Sequence, residues 1–148
     1  MLGPSSTQND AYLACGSYMV EAVVGGKNAC LFTYGQTGSG KTHSVFGGEY
    51  GRPAGKLDGV VPQMVSELFR KKTQFEKRGK FRYDLKCSLV EVGSGSTIRD
   101  LLAKEDATAL RMRGDDVLGA RVEAITSSKQ FMILIEQTML KRTAYSVN

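Results

Sequence analysis

After Thr7 the apolar positions recur every four residues, placing Ala11, Cys15, Met19 and Val23 on one helical face. Thr7 and Asp10 stand at the spacing of a capping box, and Gly25-Gly26 supplies a left-handed cap at the far end. Ala29-Cys30-Leu31-Phe32-Thr33-Tyr34 is apolar without alternation, which predicts a strand covered on both faces, as in a parallel sheet. From Lys41 to about Phe46 the chain reads as the first turns of a helix, interrupted by the glycine and proline cluster of Gly47 to Gly55. Helical spacing resumes with Val61, Met64, Val65, Leu68 and Phe69. Phe81, Tyr83, Leu85, Cys87 and Leu89 then alternate with Arg82, Asp84, Lys86 and Ser88, the pattern of a half-covered strand. Gly93 to Thr97 breaks that pattern, and Ile98 to Leu102 packs back. Leu110 to Arg113 and Arg121 to Ile125 read as short strands. Ser127 and Gln130 cap a last helix with Phe131, Leu134, Ile135 and Met139 on one side. Helices alternating with strands give an α/β class.

Composition narrows the picture. The 148 residues are long enough for one domain with a sizeable core. Apolar runs such as Phe131 to Ile135 fall far short of the ~20 residues of a membrane span, and the start of the chain lacks the pattern of a secretion signal. No membrane partner is expected. Three widely spaced cysteines argue against a disulfide framework or a zinc module and favour a reducing compartment. The net charge is +5, and the stretch from Arg70 to Arg82 carries seven positive residues against one negative. Only Phe75 and Phe81 interleave there, too few for a base-stacking platform. That stretch is read as a solvated helix end, and nucleic acid is not the expected partner.

The chemistry concentrates between the unalternating segment and the helix after it. Gly35-Gln36-Thr37-Gly38-Ser39-Gly40-Lys41-Thr42 fits the GxxxxGK[ST] phosphate-loop pattern. Polyphosphate needs several backbone N–H groups aimed at one spot, which glycines permit, together with the partial positive charge of a helix start. Lys41 would reach the β- and γ-phosphates and the Thr42 hydroxyl would ligate Mg²⁺, so both are the candidate catalytic residues.

The longer run from Asn28 to His43 resembles the phosphate loop of kinesin motor heads, where an aromatic-Gly-Gln-Thr precedes Gly-Lys-Thr. The likeness continues in order through Gly3-Pro4-Ser5-Ser6-Thr7-Gln8, Val20-Glu21-Ala22-Val23, Gly59-Val60-Val61-Pro62, Leu68-Phe69, Ser88-Leu89-Val90-Glu91-Val92, Ile98-Arg99-Asp100-Leu101-Leu102, Val122 to Thr126 and Arg142-Thr143. It covers residues 1–148 as one partial motor domain with its phosphate loop at 35–42. The resemblance implies a P-loop NTPase fold, a three-layer α-β-α sheet of which this chain is an incomplete portion. It further implies ATP or ADP with Mg²⁺ as cofactors, microtubules as partner, and a place in the cytoplasm on the cytoskeleton. Residue by residue, Gly35, Gln36, Thr37, Gly38, Ser39, Gly40, Lys41 and Thr42 would hold phosphate, and His43 would lie against the adenine ring. A plain surface histidine is the competing reading of His43; a zinc ligand is not, since the chain has no second histidine. Gly47 to Gly59 would be the variable loop beside the nucleotide, and Gly114 to Ser128 a loop facing the microtubule. Gly93-Ser94-Gly95-Ser96 stands where the family usually has Tyr-Asn-Glu.

The family's Arg-x-Arg-Pro element and its two switch sequences, Ser-Ser-Arg-Ser-His and Asp-Leu-Ala-Gly-Ser-Glu, do not occur in these residues. The resemblance therefore implies the ATP-binding portion of a microtubule-dependent ATPase motor, with no appreciable turnover expected of these residues alone. Two other readings stay open here: an inactive kinesin-like remnant that binds nucleotide or tubulin, and a generic P-loop ATPase acting on nucleic acid.

Overall fold

The computed structural model describes residues 2–48, 59–79, 82–93, 97–103, 110–114 and 116–145, the side chains of 140–145 excepted. The chain divides into two compact units, Met1–Tyr83 and Asp84–Asn148.

The first unit opens with the expected capped helix. The Thr7 hydroxyl accepts from the Asp10 backbone N–H at 3.2 Å, while the Asp10 carboxylate accepts from the Thr7 backbone N–H at 2.7 Å and from its hydroxyl at 2.8 Å. These bonds, the backbone one foremost, hold the Asp10 carboxyl below its usual range. A depressed folded-state pKa means that the stabilisation is complete above the ordinary carboxylate pKa and fades as pH falls through the lowered value. Thr7→Ala should cost about 1 kcal/mol in urea unfolding at pH 7, and that difference should shrink on acidification through the Asp10 titration.

Helix α1 (Gln8–Ala11) runs through a wide π turn (Tyr12–Gly16) into α2 (Ser17–Val24). The expected face of Ala11, Cys15, Met19 and Val23 is displaced by this turn. Gly16 and Val20 are the buried positions, and Val23 is 42% exposed. A π turn takes up an extra residue, which rotates everything after it against an ideal α-helical stripe. A Cβ built on Gly16 would lie 3.0 Å from Val60 and 3.1 Å from Met64, so the missing side chain lets this helix approach α4 (Val60–Lys77) closely. Lys27 N–H reaches Ala22 O and Gly26 N–H reaches Val23 O, both at 2.9 Å, which completes a Schellman cap at the expected glycine pair.

The segment Ala29 to Tyr34 departs from expectation. It joins no strand ladder among the described residues; Phe32 is 82% and Tyr34 96% exposed. A strand persists only where another backbone answers its N–H and C=O groups, and no described segment does so here. Its apolar character marks a place for partners, which hydropathy alone cannot supply.

Helix α3 (Lys41–Phe46) follows the phosphate loop, and α4 begins at Val60 behind the cap residue Gly59. Pro62 lies within its first turn, where no intrahelical N–H is forfeited. Three cations of the basic stretch are paired. Arg70 makes two 2.6 Å bonds to Glu67, Lys71 lies 2.6 Å from Glu21 of α2, and Lys72 lies 2.5 Å from Glu76 and also donates to the Tyr83 carbonyl. The Arg70 hydrogen bonds hold the Glu67 carboxyl below its ordinary range. Phe75 and Tyr83 pack with ring centroids 6.0 Å apart. Lys80 and Phe81 lie outside the described residues.

Among its described residues the second unit forms three two-stranded antiparallel ladders: β1 (Leu85–Cys87) with β6 (Glu123–Ile125), β2 (Val90–Val92) with β3 (Ile98–Asp100), and β4 (Arg111–Arg113) with β5 (Asp116–Leu118). Leu85 faces Ile125, Val90 faces Asp100 and Met112 faces Val117. The long alternating strand is thus broken: Tyr83, Leu85, Cys87 and Leu89 are half-buried as expected, but only three of its residues pair before the chain passes to the β2–β3 hairpin. The expected Leu110 to Arg113 and Arg121 to Ile125 strands form as β4 and β6, while β5 was not foreseen. No parallel ladder occurs among the described residues. The glycine-rich interruption at 49–58 and the turn residues Ser94, Gly95 and Ser96 lie outside them.

Helix α5 (Ser128–Tyr145) is capped by Ser127, whose hydroxyl accepts from Gln130 N–H at 3.1 Å, while the Gln130 side chain turns back to Thr126 N–H at 2.7 Å. The reciprocal bond therefore falls one residue earlier than in the expected box. Phe131, Ile135 and Met139 from α5, with Leu101, Leu102 and Ile125, form the buried apolar set of this unit. Asp100 receives the N–H groups of Leu102 at 2.9 Å and Arg121 at 2.5 Å, joining two loops.

Candidate functional site

The phosphate-loop pattern lies in the first unit as an exposed turn that opens directly into α3. Gly38 and Gly40 take φ of 81° and 85°, left-handed values that would strain a residue with a side chain. A Cβ on Gly35 would stand 2.5 Å from the Ser39 hydroxyl, which would have to turn away. Ser39 N–H donates to Gln36 O at 3.2 Å, which closes the turn, and Ser44 N–H donates to Gly40 O at 2.9 Å, which starts the helix.

Lys41 folds back over the loop that precedes it. Its ammonium donates to the carbonyls of Gly35 and Gln36, each at 2.7 Å. An ammonium brought to the concave side of a glycine turn, above the donor end of a helix, is a cationic cradle with replaceable carbonyl partners. Residues 35–42 contain no carboxylate to compete for it. Thr42 is exposed on the first turn of α3, its hydroxyl engaging no protein group among the described residues. A hydroxyl oxygen beside an anionic ligand suits a hard divalent cation such as Mg²⁺. The donor set therefore fits a polyphosphate with its metal. Among the described residues no group of three or more His, Cys, Asp or Glu is placed to hold a metal by itself.

His43, on the same turn, is exposed, as the plain surface histidine of the competing reading would be, and it is held by hydrogen bonds. Its carbonyl accepts from Gly47 N–H at 2.9 Å and from the Gln8 side-chain amide at 2.7 Å, and its Nδ1 lies 3.0 Å from that same Gln8 nitrogen. Gln8 in turn accepts at its backbone carbonyl from Gln63 of α4 at 3.2 Å. Neither glutamine is singled out by the sequence as part of the site. No local signal announces a contact across 35 residues.

Comparison with known proteins closes the description. The family model for the kinesin motor domain matches residues 1–148. The chain is 37% identical over 99 residues to kinesin-like protein K39 of Leishmania chagasi, covering 67% of this chain and 10% of that protein. It is 31% identical over 142 residues to kinesin-like protein KIF27 of Homo sapiens, covering 92% of this chain and 10% of the relative. To kinesin-like protein klpA of Emericella nidulans it is 33% identical over 149 residues, covering 97% and 18% respectively. The chain thus spans only 10–18% of the length of these three relatives.

Proposed function

The chain belongs to the kinesin motor domain family, and on that premise we propose that residues 35–43 are the nucleotide site of a microtubule-dependent ATPase motor. The observation that carries this is the Lys41 ammonium held by the Gly35 and Gln36 carbonyls above the start of α3. The family implies a P-loop NTPase α/β fold; the three-layer α-β-α sheet is the finer reading, in which Ala29 to Tyr34 would be a strand once other segments pair with it.

When bound, Mg·ATP would supply the phosphoanhydride bond that the motor hydrolyses. Lys41 would exchange two neutral carbonyls for phosphate oxygens and gain charge-assisted bonds. The N–H groups at the start of α3, which have no intrahelical acceptor, would add directed donors at no reorganisation cost. Thr42 would orient the metal through its hydroxyl. His43 would lie against the base. The partner would be the microtubule and the setting the cytoskeleton. Among the described residues no helix is long and apolar enough to cross a membrane. The nucleic-acid reading rested on the basic stretch, of which Arg70, Lys71 and Lys72 are matched by Glu67, Glu21 and Glu76.

Titration with a fluorescent ATP analogue in the presence of Mg²⁺ tests the proposal: saturable binding that unlabelled ATP displaces is expected, and its absence overturns the assignment. In the same assay Thr42→Ala should weaken Mg·ATP by about 10-fold, the scale of one ligating interaction to a charged group. Affinity for metal-free ATP in EDTA should change much less.

A further inference from the structure

We propose that Gln8 is a positioning residue for base recognition: its amide holds the His43 imidazole as the neutral Nε2–H tautomer in one fixed orientation. This rests on the reading of residues 35–43 as a nucleotide site.

The tautomer follows from the company Gln8 keeps. One polar end of its side chain lies 2.7 Å from the His43 carbonyl oxygen and 3.0 Å from His43 Nδ1. A backbone carbonyl only accepts, so the end of Gln8 that faces it is the NH₂ and not the amide oxygen. That NH₂ has two hydrogens, one for each neighbour. The ring nitrogen it meets must offer a lone pair, which puts the imidazole proton on Nε2.

Gln8 is itself held from both sides. It is the first residue of α1, inside the Thr7–Asp10 capping box, and its carbonyl receives the Gln63 amide of α4 at 3.2 Å. The His43 carbonyl it engages also receives Gly47 N–H, the bond that ends α3. Three helices thus meet at one glutamine, and an exposed ring on a six-residue helix gains a defined rotamer and proton position. A ligand against His43 then meets an aromatic face and the Nε2–H donor. That suits a heteroaromatic base with acceptor ring nitrogens, which can stack or accept. It adds no charge for phosphate, so recognition divides: Lys41 and Thr42 take the polyphosphate, and Gln8 with His43 takes the base.

The chain has one histidine, so selective ¹⁵N-histidine labelling reports a single imidazole. In the full chain at pH 8, Nδ1 should resonate as a pyridine-type and Nε2 as a pyrrole-type nitrogen. Gln8→Ala should average the two signals, and Gln8→Glu, whose carboxylate only accepts, should reverse them. A merely structural contact would leave the pattern alone. Binding supplies the second arm, with Mg·ATP and inorganic Mg·tripolyphosphate as probes. Gln8→Ala should weaken ATP about fivefold, the worth of one ordinary hydrogen bond, and leave tripolyphosphate unchanged. Lys41→Ala should weaken both. If Lys41→Ala affects neither probe, the nucleotide-site reading falls. If Lys41→Ala behaves as expected while the Gln8→Ala spectrum is unchanged, or both probes weaken alike in Gln8→Ala, the positioning role is overturned.

Discussion

Lys41→Ala should lower affinity for Mg·ATP by about 10- to 150-fold, the range of 1.5–3 kcal/mol for hydrogen bonds to a charged partner. The Lys41 ammonium is bonded to two neutral carbonyls at 2.7 Å. Exchanging these for phosphate oxygens gains charge pairing without first ordering the side chain, because its stem already crosses the loop. Alanine removes the charge and leaves the anion with backbone donors only. The measurement is competition against a fluorescent ATP analogue, with circular dichroism to confirm that helix content is retained. An unchanged affinity in a folded variant would mean that the loop is a structural turn and not a phosphate cradle.

Gly59→Ala should be strongly destabilising to the first unit. The φ of Gly59 is −67°, an ordinary value for any residue, so the backbone itself is unstrained. Space is the constraint. A Cβ there would lie 2.4 Å from Gly47 N, 2.5 Å from Val45 O and 2.6 Å from Phe46 C. These are main-chain atoms of the last turn of α3, which cannot swing aside as a flexible side chain could. Overpacking commonly costs 1–3 kcal/mol, and about 3 kcal/mol or more is expected where backbone must move. Urea unfolding of the variant should show a clearly lower midpoint. Gly3→Ala, with nothing within 4 Å of its added methyl, is the matched control and should be nearly silent. Because the displaced turn also carries the carbonyl of His43, nucleotide affinity should fall with stability in Gly59→Ala. Equal midpoints for the two variants would show that α4 does not start against the end of α3.

Much of this chain was legible before any fold was seen, and the legible parts share one property: their partners lie close in sequence. The Thr7–Asp10 box, the Schellman cap at Gly26, the Ser127 cap of α5 and the turn of Gly35 to Lys41 all close through bonds spanning three to six residues. Spacing and residue type determine such contacts, because the chain between the partners is too short to take many paths. Alternation likewise revealed which side of Tyr83, Leu85, Cys87 and Leu89 is covered, since the pleat alone fixes that.

What the sequence left undecided depends on segments meeting from a distance. Ala29 to Tyr34 has the composition of a covered strand, yet Phe32 and Tyr34 are exposed because a ladder needs a second backbone that no local pattern guarantees. The buried stripe of the first helix moved to Gly16 and Val20 because a π turn, placed where that helix meets Val60 and Met64, shifted its phase. Gln8 meets His43 only because α1 and α3 come together across 35 residues, and Gln63 reaches Gln8 from 55 residues away. The motif by itself marks out the proposed phosphate cradle. Which side chains contact His43 was decided by the path of the chain, because a hydrogen bond between distant residues exists only where packing has already placed both ends.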